Sequence, residues 1–189
     1  MNLLASNLIN ATITNSESEN EKATVHDVFI DLEEQKLAYV TLKLYKPPHE
    51  MDEQESKSFL EKINPLDNKD KKSKQLYYIP EYKIETIKPG KLTMSGQKIE
   101  EERREPSPNC HSHTKLQEIP IVSETGEQLG ELEEIILNTN DKTIIGLMLE
   151  EEQNKPYLPC EDVVSWNEDK IIVASGAQLK LLDHLEQLR

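Results

Sequence analysis

Cysteine is nearly absent from this 189-residue chain. Two residues, Cys110 and Cys160, cannot build a disulfide framework, and nothing else points to an oxidising compartment. Aromatic side chains are scarce too, at 5 % with a single Trp, so a core has to be filled by Ile, Leu and Val. Positive charge is in deficit: 22 Lys and Arg face 36 Asp and Glu, a net charge of −14. Such a field repels phosphate backbones and anionic lipid. The one dense basic run, Lys69, Lys71, Lys72 and Lys74, is interrupted by Asp70 and preceded by Asp67, and reads as a solvated loop. No direct nucleic-acid partner is therefore expected. Long apolar runs are missing as well, and none approaches the ~20 residues of a membrane-spanning helix. The opening MNLLASNLIN carries no Lys or Arg ahead of its apolar residues, which makes it a poor signal peptide. The expectation is a cytoplasmic protein with no membrane span.

What the chain does have is internal repetition. VHDVFIDLEEQKLAYVTL (25–42) aligns without a gap on LEEIILNTNDKTIIGLML (132–149). Val25 falls on Leu132, Val28 on Ile135, Ile30 on Leu137, Leu37 on Ile144 and Leu42 on Leu149, and the polar DLEEQK faces NTNDKT. Short apolar runs on either side of a polar link are the pattern of a β-hairpin. A second block matches in the same order: YYIPEYKIETIKPGKLTMS (77–95) parallels PYLPCEDVVSWNEDKIIVAS (156–175), with Pro80 on Pro159, Ile84 on Val163 and Leu92 on Ile171. In both, a strand ends at Pro, one turn follows, and a polar turn leads into a closing strand.

Three segments fall outside this plan. Residues 47–75 form a charged insertion in the first repeat, with Asp52, Glu55, Phe59, Leu60 and Ile63 suggesting one short helix that Asn64-Pro65 would stop. Residues 98–114, charged and then rich in Pro, Ser and Asn, read as a linker. Residues 176–189 place Leu179, Leu182 and Leu185 at helical spacing opposite Lys180, Asp183, Glu186 and Arg189, the pattern of an amphipathic end helix. The boundaries expected are 1–97, 98–114 and 115–189.

The second repeat resembles the PRC-barrel domain. The features that carry the likeness are Ile119 and Ile121, Thr125-Gly126-x-x-Leu129-Gly130, the strand Leu132 to Leu137, TIIGLMLE, and the closing YLPCEDVVSWNEDKIIV. The resemblance implies a small all-β barrel, found in the cytoplasmic part of the photosynthetic reaction centre H subunit, in the C-terminal domain of a ribosome maturation factor and in stand-alone prokaryotic proteins. The first repeat inherits it through the internal alignment, with Glu19 and Ala23 where the second has Gly126 and Gly130. The fold expected is mainly β: two small PRC-type barrels in tandem with a short C-terminal α-helix.

No catalytic, cofactor-binding or metal-ligating residue is assigned. Cys110-His111-Ser112-His113 has ligand-type side chains at close spacing, but no second pair completes a zinc set, and the segment reads as solvated linker. The hairpin turns lack the central Gly and terminal Glu of a calcium loop. His26 aligns with Glu133 on a solvent-facing position, Glu131, Glu133 and Glu134 read as a hydrated rim, and Trp166 and Cys160 read as packing residues. Gly126 and Gly130 read as hairpin geometry.

These features favour a non-enzymatic cytoplasmic adaptor that binds an unidentified protein partner. An accessory role in RNA processing or ribosome assembly is the alternative, and a reaction-centre H-like electron-transport role the lesser one. A homodimer through the end helix or a barrel edge is a further expectation.

Overall fold

A computed structural model of the chain describes residues 1–16, 22–44, 77–95, 107–150 and 155–188. The expected insertion helix and most of the linker lie outside these residues. Among the described residues, no helix is long and apolar enough to cross a membrane.

The hairpins form where the sequence alternates apolar runs with polar turns. In the first half, β1 (Asn2–Leu4) is followed by a 3-10 turn, β2 (Thr12–Asn15), β3 (Lys22–Asp31), β4 (Lys36–Leu44), β5 (Tyr77–Pro80), a second 3-10 turn, β6 (Ile84–Lys88) and β7 (Lys91–Met94). The second half runs β8 (Cys110–Ser112), a one-turn helix α1 (His113–Leu116), β9 (Pro120–Ser123), β10 (Gln128–Asn138), β11 (Ile144–Glu150), β12 (Tyr157–Pro159), a 3-10 turn, β13 (Val163–Trp166) and β14 (Ile171–Val173).

Two sheets result, with the same strand order: β5-β4-β3-β2-β7-β6 and β12-β11-β10-β9-β14-β13. Among the described residues, the parallel neighbours in each are the equivalent pairs β2–β7 and β9–β14. Even the irregularities correspond. The β3–β4 ladder shifts register between Val25 and Asp27 and between Phe29 and Ile30; β10–β11 shifts between Leu132 and Glu134 and between Ile136 and Leu137. The polar turns match as well. Gln35 and Lys142 adopt positive φ, at 49° and 64°, and Asp31 and Asn138 accept hydrogen bonds from backbone N–H groups two residues on.

The sheets are not confined to their own halves. β1 pairs with β10 of the second half (Leu3 opposite Leu137), and β8 pairs with β3 of the first (His111 opposite Ile30). Each half therefore lends its leading strand to the long strand of the other. At the centre, Lys36 and Thr143 form an antiparallel bridge, with Leu37 N–H donating to the Lys142 carbonyl at 2.9 Å and Ile144 N–H to the Gln35 carbonyl at 2.8 Å. These four residues occupy two equivalent pairs of positions, so the seam is locally two-fold. One continuous apolar cluster runs through both sheets, from Leu3, Leu8, Val25 and Leu37 to Leu116, Leu132, Ile144 and Leu158.

Three expectations need correction. Neither sheet closes into a barrel: β5 and β6, and likewise β12 and β13, end the strand path unpaired with each other. Each of these pairs is joined end to end through a three-residue 3-10 turn, which turns a corner instead of laying the strands side by side as closure requires. The end of the segment read as linker, residues 110–114, is a paired strand running into a helix. The third correction concerns the C-terminal α-helix. Residues 177–180 and 185–187 form short 3-10 turns instead, separated by extended chain. Leu182 exchanges two 2.8 Å backbone hydrogen bonds with Tyr157 at the edge of β12, a pairing a helix through Leu182 could not make. Leu179 is left 87 % exposed, while Leu188 is buried over Gly146. The basis for a homodimer through an end helix is thereby removed.

Candidate functional site

The glycine-rich stretch 123–137 builds a hairpin. Gly126 sits at φ +88° in a turn closed by Ser123 N–H to the Glu127 carbonyl at 2.8 Å. A Cβ on Gly130 would stand 2.8 Å from the Glu150 carbonyl oxygen, so the close approach of β11 requires glycine there.

The polar residues that converge most tightly lie on the seam. Glu134, expected on a hydrated rim, is only 4 % exposed. It is registered opposite Met148, on the face away from the Ile135–Leu147 pair, and the turn after β1 and α1 meet it there. Glu134 Oε1 accepts from His113 Nε2 at 2.6 Å, from Ile135 N–H at 2.9 Å and from Ser6 N–H at 3.3 Å. One carboxylate thus ties α1 and the turn after β1 to β10. Burial alone would raise the Glu134 pKa, but the His113 hydrogen bond and charge, with the Ser6 and Ile135 N–H groups, hold it below the usual 4.5. His113 is 1 % exposed, and its Nδ1 is buried without a partner among the described residues.

The equivalent position in β3 is Asp27, and it does the reciprocal job. Its carboxylate accepts from the Ser112 hydroxyl and from Thr114 Oγ1 at 3.3 Å, and it also caps Val28 N–H at 2.8 Å. Each long strand thus carries an acid that meets the leading segment of the other half, Asp27 through Ser112 and Thr114 and Glu134 through Ser6 N–H, while the Glu134–His113 bond stays within the second half. Two further contacts flank the central bridge: Lys142 Nζ reaches the Glu81 carbonyl at 2.6 Å, and Cys160 Sγ lies 3.4 Å from Gln35 Oε1.

The His113–Glu134 pair has the spacing of a general-base dyad, yet both residues are buried, at 1 % and 4 % exposed. The nearby surface cleft, 380 Å³, is lined instead by Phe29, Cys110, His111, Lys115, Leu116 and Glu168, among others. Within it, Cys110 Sγ is 3.7 Å from Asp31 Oδ2 and His111 Nδ1 is 3.8 Å from Glu168 Oε2. Burial pushes the Cys110 thiol up, away from the nucleophilic thiolate. The Cys-His-Ser-His run is thus split: Cys110 turns to Asp31, His111 to Glu168, Ser112 to Asp27 and His113 to Glu134. Among the described residues, no three His, Cys, Asp or Glu side chains gather as a metal set.

Elsewhere, His26 is exposed, as its alignment implied. Trp166 packs partly buried against the core, with Nε1 unpartnered among the described residues, and burial pushes the Cys160 thiol up to about 11. Asp27, His113 and Glu134 as a cooperating set escaped sequence reasoning. Their signal lies in matching residues 2–15 with 110–123, but those leading segments share little beyond Leu8 with Leu116 and Ile13 with Ile121.

The strand order and the seam can be set beside known families. Residues 111–180 match the PRC-barrel domain model. No curated protein matches the chain. The PRC match starts inside β8 and ends in the 3-10 turn after β14, so the matched unit includes a strand whose pairing partner lies in the other half.

Proposed function

We propose that the protein is a non-enzymatic adaptor of the cytoplasm, built from two PRC-type units and serving to hold a protein partner. The observation that carries this reading is the PRC-barrel match over 111–180, a domain that suggests an interaction module. The shared strand order and paired bulges support a second PRC-type unit in residues 2–95. The net charge of −14 favours a protein partner over RNA, because phosphate contacts need cationic surface.

The test is in-cell cross-linking of the tagged full chain, followed by identification of the captured proteins and reconstitution of the complex from purified components. A partner that binds the purified chain at a fixed stoichiometry supports the adaptor reading. Failure to find any reproducible partner, or tight salt-sensitive RNA binding by the pure protein, overturns it.

A further inference from the structure

The leading segments carry an inference that does not depend on the adaptor reading. In a simple tandem of domains, each unit completes its own sheet and a tether joins them. Here the first strand of each half leaves home. β1 lies on β10 and β8 on β3, while the very next strands, β2 and β9, return to their own sheets. The turn Ala5–Leu8 packs between β10 and its own β3, α1 packs on β3, and Leu8 and Leu116 are each almost fully buried. Across the seam, Asp27 accepts from Ser112 and Thr114, and Glu134 accepts from Ser6 N–H at 3.3 Å, so each acid holds the crossing segment of the other half. This is the pattern of segments exchanged across a two-fold dimer, written into one chain.

We propose that the seam is a docking surface specific for another unit of the same type, and that the two halves stay bound as a pair without their covalent connection. Each half presents three elements: the free edge of a long strand at Phe29–Asp31 or Ile136–Asn138, a carboxylate set back from it, and a hairpin turn for the central bridge. The fitting occupant offers a short strand, then a turn with buried Leu and N–H or hydroxyl donors for the carboxylate. In the intact chain the other half is that occupant.

The experiment uses the full-length protein with a specific protease site placed within residues 98–106. After cutting, light scattering on a native column should find both fragments in one peak at the mass of the uncut chain. Cut protein mixed with isotopically heavy cut protein, unfolded in urea and refolded, should give light–heavy hybrid pairs by native mass spectrometry. In the cut background, the double substitution D27A/E134A should raise the dissociation constant of the pair by about a hundredfold or more. Fragments that separate in native buffer overturn the proposal. So does a cut pair whose affinity ignores the double substitution, since the seam would then not be what holds it. A partner found for the intact chain while the cut halves fall apart would leave the adaptor reading standing and remove this one.

Discussion

Removing Glu134 is the most revealing perturbation of the seam. Its carboxylate takes three donors in a site only 4 % exposed: the His113 ring, and the N–H groups of Ser6 and Ile135. Glu134→Ala strips all three at once and leaves a buried His beside a cavity, so the cost should be about 3–5 kcal/mol. Glu134→Gln keeps the volume and an acceptor oxygen but loses the charge, and should cost about 1.5–3 kcal/mol. In a double-mutant cycle, His113→Ala with Glu134→Ala should show a coupling of about 1–3 kcal/mol. The pH dependence gives a separate signature. The carboxyl pKa is lower in the folded protein than its ordinary 4.5, so its contribution is present above that value. It is lost as pH falls through the lower folded value. Urea unfolding followed by far-UV circular dichroism, at pH 7 and at steps from pH 5 to 3, reads both effects. Wild type should lose stability over that acid range more steeply than Glu134→Gln. A Gln variant as stable as wild type at pH 7, with the same acid slope, would refute the clasp.

Two other perturbations probe the surroundings. A methyl group at Gly146 would lie 2.7 Å from Leu188 Cδ1 and 2.9 Å from the Leu158 carbonyl, so Gly146→Ala should cost about 1–3 kcal/mol. Thermal unfolding should show that adding Leu188→Ala recovers only part of the loss, because the backbone clash remains. The cysteines should react in order of access. Cys110 is half-buried, whereas Cys160 is buried with its thiol pushed up to about 11, so iodoacetamide at pH 8 should label Cys110 first. Peptide mass mapping should find Cys160 modified only once urea unfolds the chain.

Much of the architecture was legible because it rests on local pattern. The alternating runs around DLEEQK and NTNDKT gave both long hairpins, and Pro80 and Pro159 marked the ends of β5 and β12 before their corner turns. The strand exchange was not legible. Period-2 alternation says which face a residue takes, and is silent about which of two similar edges a three-residue strand will pair with. The buried acid was hidden for a related reason, since Glu134 lies on the face of β10 away from Ile135 and Leu147 and is buried by the leading segments that meet it there. Leucine spacing misled at the C-terminus: Leu179, Leu182 and Leu185 fit a helix, but the exposed edge of β12 offered Leu182 two backbone hydrogen bonds, and burial of Leu188 against Gly146 fixed the remainder. For the site, the sequence exposed the Cys-His-Ser-His cluster but not its four separate partners, which come from β3, β10 and the β13–β14 turn.

Everything said of the seam depends on where the two leading strands pair. Nuclear Overhauser contacts between backbone protons across those strands test it directly in solution. The reciprocal exchange predicts cross-peaks between Leu3 and Leu137 and between His111 and Ile30. Contacts of Leu3 with Ile30, and of His111 with Leu137, would mean that each half completes its own sheet, and would contradict the account.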